Sequence, residues 1–209
     1  FDVPPQGDRL RVQIPVAREA NGTRITGLVR SDSPLSGALL PLADRGHVPY
    51  GIADPKDPAN VLTIRDCIEC PRRVVPREQW EFTDDGVHAR LLTTPTPWSI
   101  YEVVYKSIDP PVVGLGPAAV RDAISKLKFD AVPELSIPRG AISRAIGFGI
   151  SHSGRFLRTF VYYGFNEDVK SRKVFDGVMA HVAGGGRGSF NHRFAQPSRD
   201  AHPTLNFFH

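Results

Sequence analysis

The sequence predicts an α/β fold: a mostly parallel sheet with flanking helices, preceded by a β-rich region and C-terminally incomplete. Three observations lead there. From residue 98 onward, apolar runs of strand length alternate with amphipathic helical patterns, which implies βαβ crossovers. Before residue 98, hairpin signals and loops predominate. Finally, a tight strand-to-helix turn at Ser151 leaves 58 residues after it, in which one strand and a loop are readable.

The elements follow in order. Arg11–Val16 alternates apolar residues at Val12, Ile14 and Val16, Asn21-Gly22 supplies a hairpin turn, and Arg24–Val29 returns as a strand. Asn21-Gly22-Thr23 also fits a glycosylation sequon, but the hairpin accounts for it without a glycan. Residues 31–76, rich in Pro, Asp and Gly, read as a long irregular excursion. Trp80-Glu81-Phe82, Asp84-Asp85-Gly86 and Val87–Leu92 form a second hairpin.

Trp98–Tyr105 is a strand stopped by Asp109-Pro110-Pro111. Pro117–Lys128 is a helix, with Val120, Ile124 and Leu127 on one face. Arg144–Gly149 is a short strand, Ser153–Tyr163 a helix closed by Gly164, and Val174–Ala183 a further strand before Gly184-Gly185-Gly186. The expected organisation is therefore a hairpin- and loop-rich part over 1–97 and an α/β part over 98–209.

Composition narrows the function classes. Of 209 residues, 41% are hydrophobic and 23% charged, the balance of a globular chain large enough to bury a core. No apolar run is long enough to span a membrane. The net charge is +4, and 20 of the 26 basic residues are arginine. They are scattered rather than gathered into a stripe with aromatic residues, which argues against nucleic acid as a partner. Cys67-Ile68-Glu69-Cys70 is half of a zinc site, and no second cysteine pair completes it, although His47 and His88 are conceivable ligands. A redox CxxC opens a helix after a strand, whereas Pro71 follows this one. A structural role, including a local disulfide if the chain is exported, fits best, and no metal is expected. The chain begins at Phe1 rather than Met, so a missing signal peptide says little about localisation, and the sequence reads as a piece of something longer.

The chemistry concentrates in Gly147-Phe148-Gly149-Ile150-Ser151-His152-Ser153-Gly154. This is small-x-Ser-x-small between a strand and a helix, the setting of a nucleophile elbow. The turn is so tight that the serine takes a strained backbone, and residues two positions either side must be small. Ser153 stands where the simplest pattern has glycine. Ser151 is thus the candidate nucleophile. The backbone N–H of His152, at a helix N-terminus, is a candidate oxyanion donor. The His152 side chain should diverge from the Ser151 hydroxyl.

These residues carry a resemblance. Tyr101–Tyr105, Asp109–Gly116, Ala118–Asp122, Gly149–Arg158 and Gly184–His192 together resemble the bacterial "alpha/beta hydrolase domain" family of large serine-hydrolase-like proteins. The resemblance covers residues 98–209 well and the N-terminal half loosely. It implies an α/β-hydrolase fold, with Ser151 in the place of the family's presumed nucleophile. It also implies that the catalytic acid and histidine lie beyond His209. The expected activity is hydrolysis of a small-molecule carboxylic ester through an acyl-serine, without a cofactor. The rival expectation is a truncated or binding-only protein without catalysis.

Other residues complete the expectations. Arg187, Asn191, His192 and Arg193 leave the carboxyl end of the last strand, near Ser151, where they either contact an acidic or polar substrate or form a hydrogen-bonded loop that supports the turn. Among possible triad partners, Asp168 reads as a solvated charge. Asp176 sits at the wrong end of its strand, and His181 reads as a core histidine. Asp200 and His202 stand in the right order but only two residues apart. Gly114-Leu115-Gly116-Pro117-Ala118-Ala119 with Glu134 imitates a dinucleotide site, but Asp109-Pro110-Pro111 interrupts the strand that should lead into it.

Overall fold

The structure is a computed structural model that describes residues 14–44, 47–186 and 188–196. Among these the chain divides into two compact units, one of 14–112 with 193–196 and one of 113–192.

The first unit is built of antiparallel strands. They are β1 (Thr26–Pro34), β2 (Leu39–Pro41), β3 (Gly51–Ile52), β4 (Val61–Arg65), β5 (Arg73–Val75), β6 (Trp80–Phe82), β7 (His88–Leu91) and β8 (Ile100–Ile108). One sheet runs β1-β8-β4-β5, and β3 joins the far end of β8. A second sheet runs β2-β7-β6. β8 is the axis. Its Tyr101, Val103 and Tyr105 point to one side and meet Val29 and Leu62 from the same sheet and Leu40, Trp80, Phe82, Ala89 and Leu91 from the other. The period-2 alternation of β8 thus decides which face is core.

The opposite face of β8 is charged. Glu102 is buried beside its register partner Asp32, and it receives Arg30 at 2.8 Å and both arms of Arg72 at 3.0 and 3.1 Å. Cys67 and Cys70 form a disulfide in the turn between β4 and β5. The same turn is braced by Arg73 on Asp66 and by Arg65 on the Ile68 carbonyl.

Two expectations change here. The hairpin over Trp80–Leu92 forms, as β6 with β7. Residues 31–76, however, are no irregular excursion: they supply the end of β1 and all of β2 to β5. These strands are two to five residues long, and β4 is paired with β8 some forty positions away, so local pattern carries little of their signal. Among the described residues the first hairpin is a bridge between Arg18 and Arg24 around a turn in which the Glu19 N–H donates to the Thr23 carbonyl at 3.0 Å, with Gly22 at φ 83°. Arg11–Gln13 of that hairpin lie outside the described residues.

The second unit contains α1 (Gly116–Phe129), β9 (Ile146–Ile150), α2 (His152–Tyr162) and β10 (Gly177–His181). β9 and β10 pair in parallel, with Ile146 opposite Gly177 and Ile150 opposite His181. Leu157 and Phe160 of α2 pack with Val174 and Phe175, and Val120 and Ile124 of α1 close over this cluster. Lys128, at the last turn of α1, is buried and donates to the Lys173 and Val174 carbonyls and to Asp176 Oδ2 at 2.8 Å. On the other face of β9 and β10, Ile146, Phe148, Ile150 and Met179 are exposed.

The mostly parallel sheet is therefore not found among the described residues. β9–β10 is the one parallel pair there, and the strand expected to lead the βαβ series, β8, pairs antiparallel with β1, β3 and β4. Order along the chain suggested a shared sheet, but the partners of β8 all precede it. Two further readings fail on burial. Asp168 is not a solvated charge: it is 6% exposed and accepts from Ser125, Arg172 and two backbone N–H groups. His181 is not a core histidine: it lies at the exposed carboxyl end of β10, on the face that α2 does not cover.

Candidate active site

β9 ends at Ile150, Ser151 makes the turn, and α2 begins at His152. Ser151 has φ 56° and ψ −117°, a region that non-glycine residues rarely occupy and that costs on the order of 1–3 kcal/mol. Two backbone bonds hold it there. Its N–H donates to the His181 carbonyl at 2.9 Å, and its carbonyl accepts the Arg155 N–H at 2.9 Å. The first ties the turn to β10 and the second opens the α2 ladder. The Ser151 side chain is exposed.

The glycines on either side are required by space. A Cβ on Gly149 would lie 2.5 Å from the Ser153 carbonyl carbon, and one on Gly154 would lie 2.9 Å from both the Gly149 and His181 carbonyl oxygens. Strand and helix cross here with backbone against backbone. Ser153 fits because its own side chain is exposed, so glycine is not needed at that position.

His152 occupies the first position of α2, where backbone N–H groups have no acceptor within the helix. Its ring turns away from the strand and meets Phe190 edge-on at 6.2 Å, and Phe190 in turn meets Phe156 at 5.7 Å. The loop after β10 is thereby packed on the first turns of α2. Asn191, at φ 59°, accepts the Gly116 N–H on its Oδ1 at 3.2 Å. It thus covers the start of α1, whose own N-cap Leu115 has no side chain to do so. His192 is exposed, with its N–H on the Ser189 carbonyl at 3.2 Å. Arg187, Asp200, His202 and His209 lie outside the described residues. Asp176 stands at the start of β10, the end remote from Ser151, bound to Lys128 and to the Ala145 N–H. Glu134 lies in a short 3₁₀ turn after α1, and no second strand presents it to Gly114. Among the described residues no group of histidine, cysteine, aspartate and glutamate is disposed to hold a metal ion.

Two residues of the site were not singled out from sequence. Arg155 and Arg158 project from α2 onto the glycine loop. Arg155 Nε donates to the Ala183 carbonyl at 3.1 Å, and the Arg158 guanidinium donates to the carbonyls of Gly184, Gly185 and Gly186. Their i, i+3 spacing puts both on one side of the helix. Nothing local in sequence says that their acceptors are main-chain groups nearly thirty residues later.

A strand, a strained serine, a glycine-tight turn and a helix thus follow one another over residues 146–162. The family model described as "alpha/beta hydrolase domain" matches residues 86–206, and the chain belongs to that family. No curated protein and no solved structure matches it. No helix among the described residues is long and apolar enough to cross a membrane.

Proposed function

We propose that this chain is the nucleophile-bearing part of a serine hydrolase that cleaves a small-molecule carboxylic ester. The observation that carries the reading is the backbone of Ser151, held at φ 56° and ψ −117° between β9 and α2. Strain of this kind persists only where the surrounding structure over-determines it, and here it lifts a hydroxyl out of the turn.

In this mechanism Ser151 Oγ attacks the ester carbonyl carbon while its proton passes to a histidine base. The carbonyl π electrons move to oxygen, and that oxyanion is met by the His152 N–H and the positive end of α2. Collapse breaks the ester C–O bond, and the alcohol leaves with the proton from the histidine. Water then releases the acid from the acyl-serine by the same route. The histidine and the carboxylate that orients it are assigned to positions after Ser151 and outside the described residues, in the order usual for this fold. The α/β part over 98–209 is the portion of the hydrolase that this reading uses.

The test is labelling by a fluorophosphonate probe, which reacts with an activated serine. The full-length protein is expected to label, and Ser151→Ala to lose the label. A protein that stays unlabelled, or that labels equally well after Ser151→Ala, would sink the assignment.

A further inference from the structure

The loop that follows β10 presents four successive carbonyls, from Ala183 to Gly186, to two arginines of α2. In a planar trans peptide the carbonyl and the next N–H point in opposite directions. The N–H groups of Gly184, Gly185 and Gly186 are therefore turned away from Arg155 and Arg158. None of these three N–H groups has an acceptor among the described residues. Gly184 and Gly185 are exposed, and a Cβ on Gly185 would meet nothing within 4 Å, so the space before the loop is open. At Gly184, φ is +71° and a Cβ would lie 2.8 Å from Arg155 Nη2, so glycine is what lets the arginine approach. Neither arginine has a carboxylate partner among the described residues, so two whole positive charges stand behind the loop. Three N–H groups on the side of the loop away from two arginines offer donors to an anion, with positive charge behind them. The loop starts three residues after His181, whose carbonyl holds the Ser151 N–H.

We propose that Gly184–Gly186 is an anion-receiving loop that takes a carboxylate group, and that Arg155 and Arg158 are positioning residues that hold its N–H groups outward. Resting on the reading of Ser151 as the reacting serine, this makes the substrate an ester that also bears a carboxylate.

The experiment is a titration of the ¹⁵N-labelled chain with sodium acetate at constant ionic strength, following the amide signals of Gly184, Gly185 and Gly186. Saturable shifts centred on these amides are expected with acetate and not with the neutral isostere acetamide. Arg158→Gln should bind acetate at least about tenfold more weakly while amides elsewhere in α2 and β9 keep their positions. Ser151→Ala should respond to acetate as the parent chain does, which separates this inference from the fate of the nucleophile assignment. Absent or non-saturable shifts at these glycines, an equal response to acetamide, or unchanged acetate binding in a folded Arg158→Gln would each overturn it. If Arg158→Gln does not fold, the acetate and acetamide titrations of the parent chain decide alone.

Discussion

At the scale of single residues, Ser151 is aimed by its main chain rather than by its side chain. The glycines that make this possible were legible in the sequence, because steric necessity near a tight turn leaves few residue choices. Gly149→Ala should therefore be costly. Its Cβ would meet main-chain atoms of Ser153 at 2.5 Å and Gly154 at 2.7 Å, and these have no flexible end to move aside. Overpacking of this kind costs about 2–3 kcal/mol, to be read as a lowered urea midpoint for the second unit. Arg155 and Arg158 were not legible, since a main-chain acceptor has no identity in a sequence. A second prediction concerns Glu102, which is buried with Arg30 and Arg72 upon it. Glu102→Gln keeps the shape but removes the negative charge that Arg30 and Arg72 both face. A loss of about 3 kcal/mol is expected, measurable by the denaturation midpoint of the first unit.

At the scale of elements, the Asp168 turn is what fastens the end of α2 to α1. Burial alone would raise the Asp168 carboxyl. The Ser125 hydroxyl, the Arg172 guanidinium and the N–H groups of Arg172 and Lys170 outweigh it and hold the group well below the usual carboxylate range. A carboxyl depressed on folding stabilises fully above its unfolded value, about pH 4, and loses that contribution as the pH falls toward its folded value. The second unit should thus weaken steeply on acidification below about pH 4. Asp168→Asn should lower its Tm at neutral pH and flatten the acid limb; an unchanged limb would refute the role. Helix positions were the most legible elements, because α1 and α2 carry their own apolar periodicity. The strands of residues 31–76 were the least legible. A strand such as Val61–Arg65 is defined by its partners, Val104 to Ile100, rather than by its own five residues.

At the scale of the whole molecule, each unit has its own core, and the first carries a fluorescent reporter. Both tryptophans, Trp80 and Trp98, lie in the first unit, and Trp80 is only 1% exposed, so fluorescence on unfolding reads that unit. The Cys67–Cys70 disulfide sits in the same unit and closes a very short loop. Its reduction by dithiothreitol should lower stability by no more than about 2 kcal/mol, seen as a small shift of the Trp80 midpoint. The exposed face of β9 and β10 gives the complementary case. Phe148 is 60% exposed, so Phe148→Ser should change stability by less than about 0.5 kcal/mol, whereas Phe160→Ala, in the core of the same unit, should cost about 3–5 kcal/mol. Composition could announce that a core exists. Which apolar residues are left outside it depends on which face α2 covers, and that is a property of packing.

The backbone clasp on Ser151 makes position 151 a mounting point for an introduced reactive group. Because its two bonds use only main-chain atoms, Ser151→Cys should seat a sulfur where the oxygen stands, at the start of a helix, a location that lowers a thiol's pKa. The two native cysteines are joined to each other, so the introduced thiol would be the only one free to alkylate. Its reaction rate with iodoacetamide as a function of pH would then gauge the electrostatic field at the mouth of α2, in a chain that needs no substrate to report it.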